Sequence, residues 1–410
     1  MRPHLHANCD ASRHAGLPLR DDGQSCTTNL KTMHFNEQHT LFRSTVRRFV
    51  QEEIAPNVDE WEEQGEIPRT LFRRMGELGL LGIEYPAEYG GADADFSMSV
   101  VLAEELARCG AGGVAFSVVV HTDMSSPWLA RLGTADQKKH YLPGIVRGET
   151  VCALAITEPE AGSDMAGLAT RARRDGDGWV ITGAKTFITN GVYGDLYFVA
   201  ARTSDDGPRH RGLSQFLVER ETPGLQIARK LDKTGMLASD TAELVFEDVR
   251  VPAANLIGEE GRGFHQLADG LQRERLLAAI LSVSAAEHAL EQTIEYLGKR
   301  KAFGKKLAEF QALRHRIADL ATQVEAARRL SYHAADMFAS GLDCVSEVSM
   351  AKLFATEMAN RVAYEAVQLH GGYGYMREIP VERFARDYRL WTIAAGSSEM
   401  MREIISKRLL

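Results

Sequence analysis

From His34 to Gly148 apolar residues recur every three to four positions, the spacing of one helix face. Phe42, Val46, Phe49 and Val50 form one such set, and Leu71, Met75, Leu78 and Leu81 another. Turn chemistry breaks the pattern at Tyr85-Pro86, Gly90-Gly91 and Gly133-Thr134, with a helix predicted over Phe96 to Arg108. Between Val151 and Arg262 the period shortens. Trp179–Thr182, Leu196–Ala201, Ser214–Val218 and Ala242–Phe246 read as strands, separated by turns such as Asp175-Gly176-Asp177-Gly178 and Thr222-Pro223-Gly224. No helical crossover lies between them, which predicts an antiparallel barrel or sandwich rather than a parallel sheet. From Phe264 long helical periodicities return, punctuated by Gly304, Gly341 and Gly371-Gly372-Tyr373-Gly374, as in a bundle. The predicted organisation is an α-helical domain over 33–150, a β-barrel over 151–262 and a helical bundle over 263–410. Residues 1–32 lack an apolar core and read as a disordered tail or as the product of a start assigned upstream of Met33.

Composition narrows the function. Lys plus Arg number 48 against 56 Asp plus Glu, and the net charge of −8 offers no field to attract nucleic acid or an anionic membrane. Cys9, Cys26, Cys109, Cys152 and Cys344 are dispersed without a C-x-x-C pair, so neither a zinc site nor a disulfide framework is indicated, and a reducing compartment fits best. The most apolar stretch, Leu276–Ala286, is far short of the ~20 residues that span a bilayer. These features predict a folded soluble protein with no membrane or nucleic-acid partner.

Four segments could carry chemistry. In Ala153–Asp164 a β-like run enters a Pro and Gly turn whose backbone N–H groups, with Thr157 and Ser163, could meet a polar ring edge or a phosphate; an ordinary β-turn capped by Ser163-Asp164 is the alternative. Glu274 falls on a helix face with Leu267, Leu271, Ala278, Leu281 and Ala285. Burial there would raise its pKa toward the range of a general base, unless it serves only as partner to Arg273, Arg275 or another helix's arginine. The cationic run Lys299–Lys306 could hold a pyrophosphate or form a solvated face. Gln368–Gly374 (Q-L-H-G-G-Y-G) permits close approach of backbone to a flat ligand, or ends a helix; no second ligand stands near His370, so no metal is expected.

The ordered set of motifs resembles the acyl-CoA dehydrogenase family from Met33 to Leu410. It comprises Pro86–Gly91 (P-A-E-Y-G-G), Gly133–Pro143 (G-T-A-D-Q-K-K-H-Y-L-P), Thr157–Asp164, Lys185–Gly191 (K-T-F-I-T-N-G), Ser239–Thr241, Arg300–Gly304 and Gln368–Gly374. The resemblance implies a mainly α fold with a central β-barrel domain between an N-terminal helical domain and a C-terminal four-helix bundle. It also implies FAD as cofactor and oxidation of the Cα–Cβ bond of an acyl-CoA to the trans-2-enoyl-CoA. By motif match, Leu154, Ile156, Thr157, Gly162 and Ser163, with Phe187, Ile188 and Thr189, line the isoalloxazine; Phe187 stands where many relatives have Trp. Arg300, Phe303, Gln311, Gln368, Leu369, His370, Gly371 and Gly372 meet the adenosine diphosphate half of an FAD bound mainly by a neighbouring subunit, and Ser397 and Glu399 touch the cofactor. A shared site implies an obligate homo-oligomer, a tetramer. Electron-transferring flavoprotein is the implied electron acceptor. A bacterial-type cytoplasmic location is expected, with the mitochondrial matrix as alternative.

The catalytic base departs from much of the family, in which a Glu precedes the Gly of the late motif; this chain has Ala395 before Gly396. A subgroup resembling isovaleryl-CoA and long-chain dehydrogenases carries the base earlier, in a helix motif ending E-R, which matches Gln272-Arg273-Glu274-Arg275-Leu276. The resemblance therefore makes Glu274 the acceptor of the Cα proton while flavin N5 takes the Cβ hydride. The thioester oxygen would accept hydrogen bonds from a ribityl hydroxyl and the backbone N–H of Ala395. Ser163, Arg275, Ala394, Ala395 and Gly396 are the implied substrate contacts, Arg275 matching an arginine that helps bind CoA. Small residues at 394 and 395 predict branched or longer acyl groups. The competing readings are an acyl-CoA oxidase or flavin monooxygenase of the same fold, and a non-catalytic DNA-associated relative supported by Arg377, Arg383, Arg386 and Arg389.

Overall fold

The computed structural model describes residues 35–410, so the expectations for residues 1–32 lie outside the described residues. Asn36 and His39 form a capping box that opens α1 (Glu37–Phe49), each side chain accepting from the other's backbone N–H at 3.2 Å. A π-helical turn follows α1, then α2 (Val58–Gln64) and α3 (Arg69–Glu77). The second apolar set continues to Leu81, but α3 stops at Glu77, because Gly79 takes a left-handed φ of 71° and turns the chain. Leu80 and Leu81 still enter the core as loop residues. The predicted run from Phe96 is α4 (Phe96–Leu106), followed by α5 (Gly112–Val119), α6 (Ser126–Leu132) and α7 (Ala135–Val146). Between α5 and α6 lies a second π-helical turn, Val120–Ser125, every residue of which is buried.

The β-region contains β1 (Cys152–Ala155), β2 (Arg171–Asp175), β3 (Gly178–Thr189), β4 (Leu196–Arg202), β5 (Leu213–Glu219), β6 (Leu225–Lys230), β7 (Thr241–Pro252) and β8 (Leu256–Ile257). They form one sheet in the order β6-β7-β3-β2-β4-β5-β8, with β1 parallel to β4. The expected antiparallel barrel or sandwich is seen here as one mostly antiparallel sheet, with no closure into a barrel among the described residues. Among the described residues β6 and β8 remain unpaired ends, and β1 adds a parallel pair without a helical crossover. β4 is buried on both sides: Leu196, Phe198 and Ala200 face a core shared with α6 and α7, whereas Tyr197, Val199 and Ala201 face the core formed with Trp179, Ile181 and Phe216.

The last segment begins with α8 (Gly263–Lys299) and a small hairpin of β9 (Lys301–Ala302) and β10 (Lys305–Lys306). It continues through α9 (Gln311–Ala339), α10 (Val345–His370), α11 (Val381–Tyr388) and α12 (Ser398–Leu409). α8, α9 and α10 pack on one another, and α11 and α12 lie against α10. One hydrophobic core joins residues of α1 to α5 with residues of α8 to α10. No described helix is long and apolar enough to cross a membrane.

Candidate active site

Glu274 lies inside the 37-residue α8 and is 5% exposed, immediately before a run of buried residues from Leu276 to Ala286. Burial pushes its carboxyl up to about 8, with Arg275 opposing the shift. No described residue donates a hydrogen bond to it. Arg273, one of the arginines that could have paired with Glu274, points elsewhere: its Nη1 donates to Glu84 at 3.0 Å and its Nε to Asp123 at 3.0 Å. Asp123 of this network lies in the buried π-helical turn after α5.

Beside the base, Arg275 is buried and its Nε donates to the Ala395 carbonyl at 3.3 Å. Ala395 and Gly396 both adopt left-handed backbone, with φ of 54° and 94°. The φ of Gly396 favours glycine, and a Cβ there would lie 2.8 Å from the flexible end of Met401 and 3.4 Å from Arg275 Nε. Lys352 on α10 donates from Nζ to the Gly396 carbonyl at 2.5 Å, and Ser397 caps α12 by accepting from Met400 N–H at 3.3 Å. Glu399 is exposed and Ala394 half-buried.

The ends of β1 and β3 form a second group. Lys185 is fully buried and donates to the Ile156 carbonyl at 2.9 Å and to Glu158 at 2.8 Å. Glu158 in turn accepts from the N–H groups of Ala169 and Thr170 at 2.6 and 2.9 Å. Thr186 N–H donates to the Thr157 carbonyl at 2.9 Å, which sets Ile156 and Thr157 alongside Phe187. Phe187 adopts a φ of 59° and is 69% exposed. Gly162 and Ser163 are exposed, Leu154, Ile156 and Thr157 half-buried, and Ile188 and Thr189 buried.

A third group lines an open cavity of about 550 Å³, including Arg300, Gln368, Leu369, His370, Gly371 and Gly372 together with Tyr296 and Arg316. The Tyr296 and His370 rings stack at 4.3 Å, and Tyr296 O–H donates to the His370 carbonyl at 3.2 Å. Burial lowers the His370 pKa and favours its neutral form. Phe303 and Gln311 are exposed and stand outside this lining. Among the described residues no hydrogen bond joins this cavity to the other two groups.

Three sequence profiles cover the chain: acyl-CoA dehydrogenase N-terminal domain at residues 36–149, middle domain at 153–249 and C-terminal domain at 261–410. The chain belongs to the acyl-CoA dehydrogenase family. It is 42% identical over 377 residues to the mitochondrial long-chain specific acyl-CoA dehydrogenase of Sus scrofa, covering 92% of this chain and 87% of that one. An acyl-CoA dehydrogenase of Bacillus subtilis is 42% identical over 379 residues, covering 92% and 99%. The crystal structure of acyl-CoA dehydrogenase from Geobacillus kaustophilus superposes with a TM-score of 0.89 at 46% identity, covering 92% of this chain and 99% of that one. Of the four arginines that could contact DNA, Arg383 pairs with Asp59 and Arg386 with Glu382 at 2.7 Å, whereas Arg377 and Arg389 are exposed.

Sequence reasoning does not single out Lys352, the Arg273 network or the Lys185–Glu158 pair. Lys352 carries a readable signal, since Val348, Ala351, Ala355, Met358, Ala359 and Val362 place it in an apolar stripe of α10, as Glu274 lies in that of α8.

Proposed function

We propose that the protein catalyses FAD-dependent α,β-dehydrogenation of an acyl-CoA thioester, with Glu274 as the base. The observation that carries this reading is a buried carboxyl without a described hydrogen-bond donor, pushed up to about 8, next in sequence to the arginine that holds a left-handed backbone turn. Glu274 takes the Cα proton, and backbone N–H groups of the turn meet the thioester oxygen as it gains charge. FAD, when bound, supplies the acceptor for the hydride that leaves Cβ.

The residues present fit that cofactor. The cavity offers Arg300 and Arg316 to phosphates and a stacked aromatic pair beside them, and an added Cβ at Gly371 or Gly372 would meet nothing within 4 Å, leaving room for a ligand to lie on the backbone. Phe187, with the backbone of Ile156 and Thr157, supplies a platform for the flavin ring. None of the platform residues lines the cavity, in keeping with a cofactor shared between subunits of a homotetramer. Phe303 at 95% and Tyr375 at 82% exposure, near the cavity, suit the contact with a second copy.

Small Ala394 and Ala395 favour a branched or longer acyl group; relatives named for long-chain and for isovaleryl substrates have 42% and 37% identity. Electron-transferring flavoprotein is the proposed acceptor, in line with a relative of 38% identity named as subunit CarC of a caffeyl-CoA reductase–Etf complex. A bacterial cytoplasmic location accords with the Bacillus subtilis relatives.

The test is an anaerobic titration of the holoenzyme with straight and branched acyl-CoAs, following flavin absorbance, beside Glu274→Gln. Bleaching by one acyl class, lost in the variant, is the expected result; a parent that no acyl-CoA bleaches would overturn the reading. Slow reoxidation of the reduced enzyme by oxygen separates a dehydrogenase from an oxidase.

A further inference from the structure

Lys352 is 0% exposed, and among the described residues its ammonium has one hydrogen-bond acceptor, the carbonyl of Gly396. Burial pushes its pKa down to about 8, helped by the neighbouring charge of Arg275 and opposed by Glu357 and Glu399. A buried cation is costly, and an aliphatic side chain would fill the same stripe of α10 without that cost. Its position is therefore explained by what it holds.

What it holds is the left-handed turn beside the base. Arg275 takes the Ala395 carbonyl and Lys352 the Gly396 carbonyl, so two consecutive peptide planes are each fixed by one buried cation. In a trans peptide the C=O and the following N–H point in opposite directions. Fixing these carbonyls therefore directs the N–H groups of Gly396 and Ser397 away from the two cations. The N–H groups of Ala395, Gly396 and Ser397 donate to no described residue. A run of N–H groups without a protein acceptor, spanning the left-handed Ala395 and Gly396 and the extended Ser397, is a site for developing negative charge.

We infer that Lys352 is a positioning residue for the dehydrogenation: through the Gly396 carbonyl it holds the Ala395–Ser397 turn so that its backbone N–H groups stay available to the thioester oxygen. The inference rests on the function proposed above. Among the described residues Lys352 makes no hydrogen bond or ion pair with Glu274. It acts through the turn, and its loss lets the Gly396 peptide rotate and the oxyanion donors disperse.

The experiment compares the holoenzyme with Lys352→Met, using an acyl-CoA that carries sulfur in place of Cβ. That ligand can lose its Cα proton but has no Cβ hydride to give. Its bound enolate is read by long-wavelength absorbance against oxidised flavin as pH is raised. In Lys352→Met the apparent pKa of the bound ligand should rise by about one to two units, matching a 10- to 100-fold slower bleaching by a true acyl-CoA, while flavin content and KM change little. An unchanged ligand pKa and an unchanged bleaching rate would overturn the inference. Lys352→Gln, which keeps a shorter amide donor, should fall between parent and Met variant. If neither variant retains flavin and fold, Lys352 belongs to stability and the positioning role fails. A parent that neither ionises the sulfur ligand nor bleaches with any acyl-CoA would refute the proposed activity itself, and this inference with it.

Discussion

Removing the charge of Glu274 should have opposite effects on activity and on stability. Its pKa rises from 4.5 to about 8 on folding because burial opposes ionisation, a differential on the order of 5 kcal/mol between the two protonation states. Below pH 4.5 the carboxyl is protonated in both folded and unfolded chains, and folding carries no penalty from it. Between pH 4.5 and about 8 the unfolded chain releases the proton while the folded one retains it, so stability falls as pH rises. Above that range the full cost stands. Glu274→Gln keeps the volume and abolishes the ionisation. Urea unfolding of both holoenzymes at half-unit pH steps should therefore show equal stability near pH 4 and a variant more stable by several kcal/mol at pH 9. In the parent, the rate of flavin bleaching at fixed subsaturating acyl-CoA should climb about tenfold per pH unit and level near pH 8, whereas the variant should be slower by about 10²- to 10⁴-fold. Parallel stability curves for the two proteins, or a parent rate flat from pH 6 to 9, would refute the assignment of this shift to Glu274.

Three further outcomes can be checked directly. Arg273→Met leaves Glu84 and Asp123 without their shared cation and should destabilise the protein by about 3–5 kcal/mol, read from thermal or urea unfolding. Lys185→Met removes the buried partner of Glu158 and the donor to Ile156; flavin should dissociate about tenfold more readily, measured by fluorescence of released flavin, and unchanged retention would detach this pair from the cofactor platform. Ala394→Tyr should shift kcat/KM toward short straight acyl-CoAs by about tenfold, and identical acyl profiles for variant and parent would show that position 394 does not bound the acyl chain.

The parts of the molecule that could be read from the chain are those set by local period. Glu274 stands out because a carboxylate interrupts an apolar helix face, and β4 because both of its alternating sets are apolar. β2 and β6 escape notice because their side chains are mostly exposed: R-A-R-R-D buries only Ala172, and L-Q-I-A-R-K has no fully buried residue. Closure of the sheet was not legible either, since it depends on whether two strands far apart in sequence pair, and β6 and β8 do not. The same distance hid the polar contacts. Arg273 reaches Glu84 across 189 residues and Lys352 reaches Gly396 across 44, pairings that no window along the chain contains. Arg300 and Gln368–Gly372, grouped by motif, line one cavity, whereas Phe303 and Gln311 do not.

The core that joins the first and last helices has a consequence for how the chain is made. Its members run from Val46 to Met124, with Val151, Met236 and Ala238 between, resume in number at Leu276 and end at Trp391. At a synthesis rate of about 5–20 residues per second, the first half of that core waits roughly 10 to 30 s before α8 begins to emerge. During that interval Phe96 lacks its ring partner Phe338, and Phe116 lacks Trp391. The nascent chain is thus most exposed to aggregation well before its end is translated, and a fragment ending in the β-region should require a chaperone that the finished protein does not.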